Sequence, residues 1–150
     1  MKRLVIFFSV IAATLFLTAC GSSEEDTTDG SGDSSDTKET RTIEHSMGET
    51  EISGTPENIV ALEFSFVDNL ASLGITPVGI ADDEDSDRII KPIREEIGDY
   101  TSVGTRKQPS LEVISSLQPD LIIADYQRHQ DIYDQLSEIA PTIILPSFCR

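Results

Sequence analysis

The chain has no tryptophan, two cysteines, two histidines and few cations: 11 Lys and Arg stand against 27 Asp and Glu, a formal net charge of −16. Each shortage excludes something. Two cysteines in 150 residues, Cys20 and Cys149, do not make a disulfide scaffold. His45 and His129 lie in separate segments with no H-x₃₋₅-H or CxxC spacing nearby, which argues against a directly bound transition metal. The acidic surplus disfavours nucleic acid and anionic membrane surfaces as general partners. Neither GxGxxG nor GxxxxGK[ST] occurs, so dinucleotide and P-loop chemistry are not expected, and no cofactor is assigned. Ser65 and Ser110 lack a G-x-S-x-G context, and no nucleophile–base pair is evident, which leaves an anchored hydrolase the least favoured class. The acidic stretch 82–87 fails as a calcium loop. In an EF-hand register starting at Asp83, Arg88 falls where the turn glycine belongs and Arg94 where the bidentate glutamate belongs.

What is present begins with a targeting pattern. Met1-Lys2-Arg3 supplies a positive start, and residues 4–17 form an apolar run broken only by Ser9 and Thr14, too short for a membrane span and typical of a secretory signal. Leu17-Thr18-Ala19-Cys20 resembles the lipobox of bacterial lipoproteins, in which the cysteine thiol is alkylated with diacylglycerol and becomes residue one after cleavage. That resemblance implies a signal peptide over 1–19 and an outward-facing protein held to the cell membrane through lipid on Cys20, each buried CH₂ contributing about 0.8 kcal/mol. Residues 1–19 carry only Lys2 and Arg3, so the remainder stands two units lower, at −18. Residues 21–40 contain no aliphatic or aromatic side chain and seven acids against one Lys. Such a segment cannot bury enough surface to offset its ordering entropy, so 20–40 reads as a disordered tether.

A folded unit is expected over 41–150. Two alternating pieces, 42–45 and 49–52 about Met47-Gly48, predict a β-hairpin. Strands follow at 59–62, 77–81, 102–103, 121–124 and 142–145. Between them come a helix with Phe66, Leu70 and Leu73 on one face, stopped by Gly74, and a helix carrying Ile89, Ile90, Ile93 and Ile97, kinked or restarted at Pro92. A third helix is N-capped by Ser110 and a fourth runs over 130–138, whereas 105–109 reads as a polar turn and 125–129 as a loop. Strand and helix alternate with short connections, which argues an α/β fold with a doubly wound, mostly parallel sheet and an N-terminal β-hairpin.

Ligands of such sheets bind outside the carboxyl ends of the strands. Residues 41–150 hold 20 acids and only eight Lys or Arg. Three of those eight, Arg106, Lys107 and Arg128, fall in two exit loops on that edge, joined by His129. Arginine forks bind carboxylates bidentately, so the pair suits a polycarboxylate or other anionic chelate; surface ion pairs with neighbouring acids are the alternative.

The order of signal, lipobox and acidic tether, then NIVALEFSFVDNLASLGITPVGIA, VGTRKQPSLEVISSLQPDLIIADYQRH and IAPTIIL, resembles siderophore-type substrate-binding lipoproteins of ABC importers, and within them the ferric-citrate-binding members. The likeness covers residues 1–145. It implies the N-terminal lobe of a two-lobe periplasmic-binding-protein-like fold, non-enzymatic, that delivers an iron(III) chelate to a membrane permease, with iron held through the chelate. Carried over, the resemblance implies that Glu63, Phe64 and Ser65 line the cleft, that Arg106 is the main anion contact in a loop shaped by Gln108 and Pro109, and that Tyr126, Arg128 and His129 complete this lobe's half of the site. Glu112 matches the exposed glutamate that docks against a permease arginine; it is also a first-turn acid favoured by the helix dipole.

Members of that family are about twice this length, and Pro146-Ser147-Phe148-Cys149-Arg150 does not resemble their onward sequence. The resemblance therefore implies a truncated chain, with weak or absent ligand binding by the lone lobe. A surface lipoprotein that uses its α/β domain for protein–protein interaction is the alternative from another class.

Overall fold

The computed structural model describes residues 39–147. The expected signal peptide, Cys20, nearly all of the tether and Cys149 lie outside the described residues. The hairpin is present, with β1 (Thr40–His45) and β2 (Gly48–Ser53) pairing antiparallel and His45 opposite Gly48. Its first strand opens at Thr40, one residue inside the segment read as tether.

The strands that follow are β3 (Ile59–Ala61), β4 (Gly79–Ile80), β5 (Thr101–Ser102), β6 (Gly104–Thr105), β7 (Gln108–Pro109), β8 (Leu121–Asp125) and β9 (Thr142–Leu145). Five of them form one sheet in the order β5-β4-β3-β8-β9, every pair parallel. β6 and β7 make a separate two-residue hairpin. The helices are α1 (Phe64–Ser72), α2 (Lys91–Ile97), α3 (Leu111–Ser116), α4 (Tyr126–His129) and α5 (Tyr133–Ser137), with 3₁₀ turns at Ser86–Arg88 and Gln130–Ile132. The fold is thus the α/β architecture expected.

Period-two alternation divides the strand side chains between two cores. Ile59, Ala61, Leu121 and Ile123 pack with Phe66, Val67, Leu70 and Ala71 of α1, Ile97 of α2 and Ile52 of the hairpin. Val60, Leu62, Ile122, Ala124 and Ile144 pack with Ile114 of α3 and Leu136 of α5. Every residue of β8 is buried, which explains its unbroken apolar run up to Asp125. Gly79 gives this layering a close approach. A Cβ there would stand 2.7 Å from Leu117 Cδ1 and 3.0 Å from Val103 Cγ1, so a larger residue would force the Leu117 side chain at the end of α3 to shift.

The hairpin covers the free edge of β9. Ser46 N–H donates to the Ile144 carbonyl at 3.0 Å, and Thr50 Oγ1 donates to the Thr142 carbonyl at 2.8 Å.

Several local expectations change. Leu73 is 73 % exposed, because α1 ends one residue before it and its buried face is Phe66, Val67, Leu70 and Ala71. Ile90 is the N-cap of α2 and exposed; Pro92 lies in the first turn and starts the helix without kinking it. The polar turn at 105–109 closes on itself as β6–β7, Gly104 supplying φ +93. The loop at 125–129 is a helical turn, α4, whose N-cap Asp125 accepts from the Arg128 amide at 3.1 Å. The helix expected at 130–138 is a 3₁₀ turn followed by α5.

Candidate functional site

The strand order places the topological switch between β3 and β8, whose chain continuations leave in opposite directions across the sheet. Four exits converge on the carboxyl edge beside it. β3 is followed by Glu63, β4 by Asp82 and Asp83, β5 continues into β6–β7, and β8 runs into α4.

Glu63 is the hub. It is 3 % exposed, and its carboxylate accepts from three groups: the Phe64 amide at 2.9 Å, Arg106 Nη1 at 2.7 Å and Arg128 Nε at 2.7 Å. Arg106 is held on a second side by Asp83, whose Oδ2 accepts from Nε at 3.0 Å and Nη2 at 2.8 Å while Oδ1 accepts from the Arg106 amide at 2.9 Å. Arg88 reaches the same Asp83 Oδ2 at 3.0 Å. The Arg106 guanidinium lies 4.1 Å from the centre of the Phe64 ring, a cation–π contact that fixes its plane.

Asp83 and its neighbour Glu84 both have φ +61, a left-handed backbone that costs each non-glycine residue about 1 kcal/mol or more. The turn is held by Asp82, which is 4 % exposed and accepts from the Glu84 amide at 3.0 Å, Tyr100 Oη at 2.9 Å and Ser102 Oγ at 2.5 Å. Strain at this point aims Asp83 at two arginines.

These contacts set the charge states. Burial alone pushes the Glu63 carboxyl up, but the hydrogen bonds from Arg128 and Arg106 outweigh it and hold the group below the usual carboxylate range. Burial likewise raises Asp83, and the side-chain and backbone hydrogen bonds from Arg106 bring it below its ordinary value. Both carboxylates are therefore ionised at neutral pH.

Above this layer lies an open depression of about 780 Å³ lined by Asp83, Arg88, Thr105, Arg106, Lys107, Gln108 and Arg128. Four cations face two carboxylates here, one of them buried beneath, on a body whose overall charge is strongly negative. The donors are unequally committed. Arg106 spends three of its five N–H groups on Asp83 and Glu63. Arg128 spends only Nε, and both of its Nη groups are without hydrogen bonds among the described residues. The chemistry such a surface can perform is recognition of a multivalent anion through forked N–H donors.

The expected site residues separate into layers. Arg106, Gln108 and Arg128 line the depression. Glu63 and Phe64 lie underneath as carboxylate hub and ring support. Ser65 stands in the first turn of α1 with its hydroxyl buried and without a partner among the described residues. Pro109 is half-buried in β7, and Tyr126 packs into the second core. His129, expected at the ligand, is fully buried behind the wall, where it bonds backbone groups. Glu112 is exposed in the first turn of α3, away from the depression lining. Arg88 and Asp83 were missed, because the acidic run around them reads as a solvated loop. The signal available was position: 82–88 leaves the carboxyl end of β4, on the same edge as the other exits.

A family model described as "Periplasmic binding protein" matches residues 59–149. The chain is 53 % identical over 146 residues to the Fe(3+)-citrate-binding protein YfmC of Bacillus subtilis (strain 168), which covers 97 % of this chain and 45 % of that protein. It is 48 % identical over 106 residues to the Fe(3+) dicitrate-binding periplasmic protein FecB of Escherichia coli (strain K12), covering 71 % and 35 % respectively. Among solved structures, Staphylococcus aureus SirA complexed with staphyloferrin B superposes with a TM-score of 0.67 at 42 % identity, over 71 % of this chain and 36 % of that one. The chain thus spans less than half the length of these relatives.

Proposed function

This chain belongs to the periplasmic binding protein family, and on that premise we propose that it contributes one wall of the ligand site of an iron-chelate importer's substrate-binding lipoprotein. The ligand class is an iron(III) polycarboxylate such as ferric citrate, iron being held by the chelate and not by the chain. One observation carries the reading: Arg88, Arg106, Lys107 and Arg128 gather on the carboxyl edge of the sheet in a chain whose net charge is strongly negative. A field of that form draws a multivalent anion to one place on a body that repels it elsewhere. The relatives named for ferric citrate support the choice of chelate.

Within the site, Arg128 is the principal anion fork, since its Nη groups are uncommitted, and Arg106 is as much scaffold as contact. Arg88 and Lys107 form the outer rim. Delivery to a membrane permease, with exposed Glu112 as a docking acid, and lipid anchoring through Cys20 on the outward face of the cell membrane belong to the same proposal.

The test is an NMR titration of the full chain with gallium(III) citrate, a diamagnetic stand-in for the ferric complex. One wall alone should bind weakly, in a roughly millimolar range (about 4 kcal/mol), shifting the Nε–H signals of Arg128 and Arg106. Arg128→Ala should reduce affinity about tenfold with little loss of stability, whereas Arg106→Ala should weaken binding and stability together. No shift at either arginine at saturating gallium citrate would overturn the reading.

A further inference from the structure

His129 is buried to 0 % exposure at the end of α4, with both ring nitrogens engaged. Nδ1 accepts the Asp125 amide hydrogen at 2.9 Å, so it carries a lone pair. Nε2 therefore bears the proton, which it donates to the Arg106 carbonyl at 2.8 Å. The other peptide group of that residue, the Arg106 amide, is bound by Asp83 Oδ1 at 2.9 Å. The tip of β6–β7 is thus gripped from two sides, by a side chain leaving β4 and a side chain leaving β8. Its own ladder is only two residue pairs, so these grips decide where the tip stands.

We propose that His129 is a positioning residue: as a neutral Nε2–H ring it ties the β6–β7 turn to the end of β8 and fixes Arg106 relative to Arg128, and protonation of Nδ1 releases that tie. A proton on Nδ1 removes the acceptor of the Asp125 amide, because two donors then face each other, and the ring must shift from a packed site. Burial disfavours the imidazolium most. The Arg106 carbonyl, Asp125 at the end of β8 and Glu63 at the exit of β3 favour it, while Arg128 on the same helical turn opposes it, and the net direction is downward from the ordinary histidine value. The tie is therefore closed at neutral pH and opens in acid, below about pH 6.5. Its consequence for anion binding rests on the proposed function; the bonding pattern does not.

The test uses the full chain labelled with ¹⁵N, with His129→Gln and His129→Asn as paired variants. Gln places an amide donor where Nε2 stands and does not titrate; Asn keeps an acceptor at the Nδ1 position but does not reach Arg106. In the unsubstituted chain the imidazole ¹⁵N shifts should report the Nε2–H tautomer at pH 7.5. Exchange of the Arg106 amide should quicken roughly fivefold in Asn, the loss of about one net hydrogen bond, and stay near the starting value in Gln. Citrate affinity, expressed as the ratio of the unsubstituted chain to the Gln variant to cancel citrate's own titration, should fall as pH is lowered from about 7.5 through the acid range below the ordinary histidine value. An Nδ1–H tautomer, equal Arg106 exchange in both variants, or a pH-independent ratio would each overturn the proposal. Should citrate bind none of the three proteins while amide exchange follows the expected order, the positioning role stands and the ligand reading falls.

Discussion

Two buried carboxylates leave adjacent strands of the same sheet, and they are satisfied in opposite ways. Glu63, after β3, is neutralised by two guanidinium groups that arrive from β6–β7 and α4. Asp82, after β4, receives the hydroxyls of Tyr100 and Ser102 and the Glu84 amide, all uncharged donors. The first corner gathers arginines directly on its carboxylate and opens onto the depression; the second bonds no cation and serves to hold a strained turn. The difference teaches what a buried acid is for. Paired with arginines, it is an assembly point whose partners keep spare donors. Paired with hydroxyls, it is a clamp.

The comparison breaks first on stability. Glu63→Ala leaves two partly buried arginines without their shared acceptor and should cost about 3–5 kcal/mol in chemical denaturation. Asp82→Ala strands only uncharged donors, which rehydrate more cheaply than a guanidinium, and should cost less, roughly 2–3 kcal/mol. Equal losses would erase the distinction between the corners.

The second effect is electrostatic and confined to the clamp. Burial, then the hydrogen bond and charge of Asp82, push the Tyr100 phenol up to about 12. Asp82→Asn removes the charge, so ultraviolet titration of Tyr100 should move back toward the ordinary value near 10, while Glu63→Gln leaves it in place. A Tyr100 titration indifferent to Asp82 would show that burial alone sets it.

The smallest effect is the separation of two acid steps. His129 has a depressed folded-state value, so its contribution is complete above the unfolded value near 6.5 and is lost as pH falls through the folded one. Glu63 and Asp83 are depressed as well, and their contribution is complete above about pH 4 and lost below it. Denaturation midpoints should fall in two stages, and His129→Gln should shrink the upper stage alone, the remainder belonging to His45, whose value burial also lowers. A single transition common to both proteins would assign all acid sensitivity to the carboxylates.

Much of this was legible before any coordinates. The apolar run 121–124, the alternation at 42–45 and 49–52, and the placement of Arg106, Lys107 and Arg128 after predicted strands followed from periodicity and charge. The short elements were not legible. Four residues of α4 and two-residue strands such as β6 carry too little periodic signal, and Pro109 argues against a strand on local grounds although the small hairpin accommodates it. Leu73 and Ile90 show the same limit, since helical spacing cannot say at which residue a helix starts or stops.

The sequence by itself determined the α/β class, the order of its elements, the carboxyl edge as the place where the basic exit loops stand and the sign of the charge they carry, because burial periodicity and charge are local properties of the chain. Only the tertiary structure decided which arginine is the more committed and which keeps more spare donors, that Asp83 and Arg88 belong to the same cluster, and that His129 stands behind the wall. Those outcomes depend on hydrogen bonds between exits 20 to 65 residues apart, as between Arg128 and Glu63 or Arg106 and Asp83, and no local pattern encodes such pairings.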